Sequence, residues 1–366
     1  FIEGSWMTKH NGKYYFQYSA PGTEFSGYAD GVYVGDHPLR HFAYQTHNPF
    51  SYKPGGFTQG AGHGATFQDK FGNWWHISTI RLSVKNNFER RVGLWPAGFD
   101  NDDVLFCNTA YGDYPHFLSD NTSKDSSGRF TGWMLLNYNK PVSVSSWYGG
   151  YTPNFAVDEN LRTYWSAATN NAGEWLQSDL GEVCTVMAVQ VNYADQDAEL
   201  TGKQLNLFHR YVIYQSLDGK KWDIAVDKRN SNIDTPHDYV ELNKPVRARY
   251  LKIENVHVPT GKIALSGFRV FGKADGTPPD TVRKFEVLRG ESEHRNAWIK
   301  WQPLDNAIGY TIYFGTAPDK LYNNILVYAF NEYFFSGLDK NTTYYFQIET
   351  FNESGVGKRT RAVRVD

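Results

Sequence analysis

Two cysteines, three methionines and no long apolar run mark what this 366-residue chain does without. Cys107 and Cys184 fall in different predicted domains, so no structural disulfide is expected, and a count of two does not settle the redox compartment. No stretch reaches the roughly 20 apolar residues that a membrane-spanning helix needs. Charge of either sign is not in excess: 37 Lys and Arg stand against 39 Asp and Glu. No run of like charge is long enough to draw nucleic acid or an anionic membrane surface. A neutral or modestly polar ligand is therefore expected. The chain opens Phe1-Ile2-Glu3 with no initiator methionine and no signal peptide. That start reads as the inside of a domain, so the missing leader says nothing about compartment. Helical periodicity is also absent over any long stretch.

Aromatic residues are abundant, at 16% of the chain. Sugars present apolar C–H faces that pack on aromatic rings, although β-proteins also use Tyr, Trp and Phe simply to fill and cover sheets. Strand signals dominate, as in Lys13-Tyr14-Tyr15-Phe16-Gln17-Tyr18 and Tyr211-Val212-Ile213-Tyr214, separated by Gly, Asn and Asp clusters. A repeat appears at an offset of sixty. Glu3-Gly4, Gly12 and Tyr14-Tyr15 are answered by His63-Gly64, Gly72 and Trp74-Trp75. Each copy reads as a strand, a turn (Asn11-Gly12 or Phe71-Gly72) and a second aromatic strand, a pattern that suggests propeller blades. Glu3 and His63 would then begin innermost strands facing a common axis. The texture changes near Tyr138, and Asp275-Gly276-Thr277-Pro278-Pro279 reads as a linker. Three all-β domains are expected, over residues 1–138, 139–274 and 275–366.

The run from Glu3-Gly4-Ser5-Trp6 through Asn11-Gly12-Lys13-Tyr14-Tyr15 to Tyr18-Ser19 resembles the general-acid blade of family 43 glycoside hydrolases, five-bladed β-propellers that cleave arabinosyl, xylosyl or galactosyl linkages with inversion. The resemblance covers roughly residues 1 to 120. It implies that Glu3 is the general acid, with Trp6 and Phe25 as apolar walls. Gly62-His63-Gly64 looks like the family's central histidine, which often helps to hold a metal ion or an ordered water. Of Arg81, Arg90 and Arg91, one would orient sugar hydroxyls, Arg81 being the candidate, and Asp113 in Tyr111-Gly112-Asp113-Tyr114 could line the pocket. An inverting enzyme also needs an ionised carboxylate roughly 6.5–9.5 Å from the acid to activate water. In the family that base comes from blades upstream of the acid. This chain starts two residues before Glu3 and is expected to lack it.

From Val142 to Gly272, the carriers Asn154-Phe155-Ala156-Val157-Asp158, Thr163-Tyr164-Trp165, Ser216-Leu217-Asp218-Gly219 and Ala264-Leu265-Ser266-Gly267-Phe268 resemble the discoidin, or coagulation-factor C-type, fold. That fold includes family 32 carbohydrate-binding modules and is a jelly-roll β-sandwich. The resemblance implies a structural calcium near Asp158 and Asn160, although Gly267 stands where such modules often carry an acid. It also implies sugar binding by end loops, here Trp147, Tyr148 and Tyr151, with a second long loop from Tyr193 to His209 carrying Asp195, Gln196 and Asp197. The last segment resembles a fibronectin type III sandwich through Ile299-Lys300-Trp301, Tyr310-Thr311-Ile312-Tyr313 and Asn341-Thr342-Thr343-Tyr344-Tyr345, with Trp301 in its core and Tyr344 at its corner. The expected protein is a secreted bacterial exo-acting glycosidase acting on an oligo- or polysaccharide. A non-catalytic glycan-binding or adhesion protein is the alternative.

Overall fold

A computed structural model describes residues 2–82, 88–118, 129–198 and 207–366. The chain is all-β. Strands β1 (Glu3–His10), β2 (Lys13–Ala20), β3 (Ala29–Gly35) and β4 (Ala43–Tyr44) form one antiparallel sheet in sequence order. Strands β5 (Ala65–Gln68), β6 (Trp74–Arg81), β7 (Arg90–Phe99) and β8 (Leu105–Cys107) form a second sheet of the same order. The sixty-residue offset is thus two successive four-stranded meanders. Asn11 and Gly12, with φ of 44° and 77°, make the two-residue turn that twists with its strands. In the second copy, Asp69 Oδ1 accepts the N–H groups of Phe71 and Asn73, and its Oδ2 accepts Trp75 Nε1. First strand meets first strand: Trp6 Nε1 and Thr8 Oγ1 of β1 both donate to the Thr66 carbonyl of β5, at 2.9 and 3.2 Å. Tyr15, Val32, Phe50, Trp95 and Leu105 form the shared core.

The middle segment is a β-sandwich of β9 (Met134–Leu135), β10 (Val142–Val144), β11 (Trp165–Ser166), β12 (Trp175–Tyr193), β13 (Arg210–Ser216), β14 (Asp223–Asp227), β15 (His237–His257) and β16 (Ala264–Lys273). Strand order runs β11-β16-β12-β15-β13-β14, with β10 on β12 and β9 on β16. The 19-residue β12 and 21-residue β15 bend at register shifts between Asp179 and Cys184 and between Val186 and Ala188, so one strand can serve both layers. The sandwich starts earlier than the change of texture at Tyr138 suggests. Leu135 pairs with Phe271, and the Asn137 side chain bonds Phe268 O and Val270 N. His209 packs on Tyr193 in this unit, and burial, followed by the neighbouring His257, pulls its pKa down to about 4. Its folded pKa is depressed, so the stability it contributes is present above the unfolded value of ~6.5 and is lost as pH falls from there towards 4. The sandwich is expected to lose roughly 2–3 kcal/mol over that window. Urea titrations at pH 7 and pH 4.5 would show it, and His209→Gln should flatten the difference.

The last segment is a second sandwich, in which β17 (Arg283–Arg289), β18 (Asn296–Gln302) and β21 (Glu332–Ser336) face β19 (Gly309–Gly315), β20 (Asn323–Tyr328), β22 (Tyr344–Asn352), β23 (Gly355–Val356) and β24 (Val363–Val365). Trp301 is buried in its core, and the Tyr344 hydroxyl accepts the Asp339 N–H at 3.0 Å. Tyr344→Phe leaves that N–H without its acceptor and is expected to cost about 1 kcal/mol, measurable as a fall in the denaturation midpoint.

Three domains in sequence become two compact units in space. The described residues up to Thr131 form one unit together with Pro278–Asp366, and Gly132–Thr277 belong to the other. Within the first unit the last sandwich is docked on the two meanders by polar contacts across some 200 residues. Lys320 Nζ meets Asp100 at 2.8 Å, the Tyr111 hydroxyl donates to Glu349 at 3.0 Å, and Asn324 Nδ2 donates to Thr109 at 2.9 Å. Tyr52 packs edge-on against Phe314 and Phe335. The last sandwich is therefore part of the body that carries Glu3.

Candidate active site

Glu3 opens β1 beside a register shift between Glu3 and Trp6. Gly4 stands in that irregularity with φ of +62°, and a Cβ there would lie 2.7 Å from Ser19 Oγ. A glycine is required on both counts. The Tyr28 hydroxyl donates to Glu3 Oε1 at 2.6 Å, and His63 Nδ1 lies 3.5 Å from Oε2. Burial and then the Glu3 carboxylate push the Tyr28 hydroxyl well above its ordinary pKa. It therefore remains a fixed donor to the acid. The Tyr28 ring occupies the place a side chain at position 62 would need, 2.8 Å from a Gly62 Cβ.

Behind His63 lies a buried polar network. Asp30 Oδ2 accepts the Gly64 N–H at 3.1 Å and stands 2.9 Å from His76 Nε2, both side chains being all but inaccessible. The Ser19 hydroxyl donates to Asp30 Oδ1 and accepts the His63 N–H, the latter at 2.6 Å. Thr66 Oγ1 joins His76 Nδ1 to Gln17 Oε1, each at 3.0 Å. A Cβ at Gly64 would fall 2.3 Å from His76 and 2.6 Å from Asp30. The left-handed backbone of His63, with φ of 55°, is thus held from behind by groups from β2, β3 and β6.

In front runs an open groove of about 550 Å³ lined by Trp6, His63, Thr79 and Val92 among others. No carboxylate is among its lining residues; Glu3 precedes the lining residue Gly4, and its Oε2 lies 3.5 Å from the lining residue His63. The Glu3 side chain is 29% exposed. Such a site can hand a proton to a ligand atom in the groove while an aromatic wall shields one side.

Three of the predicted residues, Glu3, Trp6 and His63, come together here. Phe25 is exposed on the loop that Arg81 ties down by donating to Thr23 O at 2.9 Å. Arg81 is buried, and this contact anchors the loop; the expectation that it orients a ligand is replaced by a structural task. Asp113 is corrected likewise. Its side chain is 0% exposed, it pairs with Lys53 at 2.9 Å, and it accepts the Phe57 N–H, so it cannot line a pocket. Tyr28, Asp30 and His76 carry no signal that sequence reading could have used.

The sandwich unit has its own aromatic surface. Trp147 is 58% exposed, and Tyr148, Tyr151 and Tyr164 stack in a ladder, with centroids 6.2 and 4.5 Å apart. Alongside run Gln196, which accepts from the Tyr164 hydroxyl at 2.6 Å, then Asp197 and Lys262, an ion pair. Lys262 Nζ sits 4.6 Å over the Tyr148 ring. Of the predicted trio, Tyr148 and Tyr151 stack on each other and Trp147 is exposed next to them in the chain, while the buried Tyr164 and Lys262 join the tyrosines unannounced. Residues 199–206 of the loop from Tyr193 to His209 lie outside the described residues.

Residues 1–105 match the family description "Glycosyl hydrolases family 43". Residues 141–268 match "F5/8 type C domain". A 45-residue stretch is 53% identical to a "Beta-xylosidase" of Xylanibacter ruminicola and 51% identical to a "Xylosidase/arabinosidase" of Bacteroides ovatus. Each match covers 12% of this chain and 13% of the relative, so the chain spans a small part of those proteins. Among solved structures, a "Glycoside hydrolase" is 20% identical over 74% of this chain and 60% of its own, with a TM-score of 0.41. Chitosan-binding module 1 of a Paenibacillus chitosanase/glucanase is 23% identical over 38% of this chain and 99% of its own, with a TM-score of 0.32.

The F5/8-type resemblance implies a calcium ion at the loop that carries Asp158 and Asn160. Asp158 Oδ1 accepts the Asn160 N–H and Oδ2 the Thr163 hydroxyl, while Asn160 Oδ1 accepts the Arg162 N–H. Glu159 between them is bound by Arg269 through Nε at 2.8 Å and Nη2 at 2.9 Å, and Arg269 is 1% exposed. Each of the Asp158 and Asn160 side-chain oxygens named accepts a hydrogen bond, and the Glu159 charge is met by the Arg269 guanidinium. With Glu159 turned to Arg269, the side chains left at this loop, Asp158 and Asn160, fall short by themselves of the roughly six to eight oxygens that calcium takes. Among the described residues no group of three or more His, Cys, Asp and Glu is placed to hold a metal, and this includes His63. Nor is any helix among them long and apolar enough to cross a membrane.

Proposed function

We propose that the Glu3 site is the general-acid half of an exo-acting, inverting glycosidase of the arabinofuranosidase, xylosidase or galactosidase type, acting on a plant or similarly complex polysaccharide. The observation that carries this reading is the Glu3 carboxyl, bonded by Tyr28 on Oε1 and 3.5 Å from His63 Nδ1 on Oε2, beside the groove that Trp6 and His63 line. Tyr28 takes Oε1, so the acid's proton belongs on Oε2. As the glycosidic C–O bond breaks, that proton passes to the leaving oxygen, and water adds from the opposite face of the sugar ring. The water-activating carboxylate would come from further propeller blades outside these residues. The names of the two xylosidase relatives favour xylose or arabinose as the sugar released. In this reading the end of the sandwich bearing Trp147, Tyr148 and Tyr151 holds the polysaccharide. The fibronectin type III-like sandwich braces the catalytic body, and the protein is exported.

Trp147 and Tyr148, 58% and 45% exposed, also favour a second reading, a glycan-binding protein without catalysis. Hydrolysis of arabinofuranosyl, xylosyl and galactosyl aryl glycosides by the full-length natural protein, beside its Glu3→Gln variant, separates the two. Turnover of one glycoside that collapses in the variant supports the enzyme. Glycan binding with no turnover of any of the three leaves the binding protein.

A further inference from the structure

The body that carries Glu3 holds another cavity, of about 450 Å³, where the segment after β8 meets β19, β22 and β23. That volume lies within the range of small-molecule sites, about 300–1,000 Å³. Two aromatic stacks line it, Phe106 on Tyr322 with centroids 4.8 Å apart and Tyr111 on Phe130 at 4.6 Å. The floor is Glu349, whose Oε1 accepts the hydroxyls of Tyr313 at 2.7 Å and Tyr111 at 3.0 Å, and whose Oε2 accepts Arg359 Nε at 2.8 Å. The guanidinium lies 3.6 Å over the Tyr313 ring. It is held along one edge and one face, and its side chain is 44% exposed, which leaves donors on its outer edge for a ligand.

Two more lining groups have unspent capacity. Asn108 Oδ1 accepts the Ala110 N–H, and its Nδ2 has no partner among the described residues. His116 Nδ1 bonds the Tyr114 carbonyl at 2.9 Å. A carbonyl can only accept, so Nδ1 carries the proton and Nε2 is a bare acceptor. Fixed donors, a fixed acceptor and ring faces are what a sugar unit with its hydroxyls and C–H faces requires. Arg359 and Glu349 cancel in charge, so the field in the cavity favours neither an acidic nor an amino sugar.

We propose that this cavity is a second saccharide-binding site, selective for a neutral sugar unit, on the same body as Glu3. It goes beyond the glycosidase reading and holds whether or not Glu3 catalyses. The test uses the chain with Trp147→Ala and Tyr148→Ala, so that the sandwich surface contributes nothing. Xylohexaose, arabinohexaose and tetragalacturonate are titrated calorimetrically into it. At least one neutral oligosaccharide is expected to bind. Asn108→Asp, which keeps the oxygen for the Ala110 N–H and removes the amide donor, and separately Val356→Trp, which fills the cavity, should each weaken that binding tenfold or more with the thermal midpoint of the unit unchanged. No heat from either neutral probe at millimolar concentration, binding untouched by both substitutions, or tighter binding of the galacturonate would overturn the proposal.

Discussion

Glu3→Gln in the full-length natural protein is expected to lower kcat about 1,000-fold on a glycoside with an alkyl leaving group, and less than tenfold on the matching dinitrophenyl glycoside. General acids contribute about 10²–10⁴-fold. The loss falls where the leaving oxygen needs a proton and vanishes where it leaves readily as an anion. Glutamine keeps an oxygen for the Tyr28 hydroxyl, 2.6 Å from Glu3 Oε1, so the pocket's shape and KM should change little. Steady-state rates on the pair of substrates decide the matter. Equal losses on both would mean that Glu3 positions the sugar and does not protonate it.

The second large effect concerns stability. Arg269→Met keeps an unbranched apolar side chain but removes the guanidinium that lies 4.8 Å over the Phe271 ring and leaves Glu159, 2% exposed, without its cation. Breaking a buried pair from one side costs about 3–5 kcal/mol, because the abandoned charge stays in a poor solvent. For a unit of this size that is roughly 10 °C or more in the thermal midpoint. Calorimetry of the whole chain should show the sandwich transition fall while that of the other unit stays. Millimolar calcium should not move the wild-type transition. A calcium-dependent rise would show that the loop at Asp158 takes the metal after all.

The strands were legible because a sheet writes itself locally. Side chains alternate every second residue, hairpin turns demand residues such as Asn11 and Gly12, and a meander repeated sixty residues on aligns Glu3 with His63. The exposed aromatic loop at Trp147, Tyr148 and Tyr151 could be read for the same reason, since large rings among Ser and Gly have few local uses. Asp113 and Arg81 were misread because a charge in a polar aromatic stretch looks the same whether it faces a groove or a buried partner. Asp113 pairs with Lys53 and Arg81 with a carbonyl 58 residues away, and only packing chooses such partners.

By itself the sequence determined the all-β class, the two meanders, the identity of the candidate acid and the end of the sandwich bearing its aromatics. Tertiary structure alone decided what surrounds them. It brought Tyr28 to Glu3, put Asp30 and His76 behind His63, supplied Arg269 to a loop 110 residues distant, and set the last sandwich against the first meanders so that a cavity opened between them. The division has one physical cause. Periodicity and turn chemistry act between near neighbours and survive in the order of residues, whereas desolvation and charge pairing depend on which surfaces meet once the chain has packed.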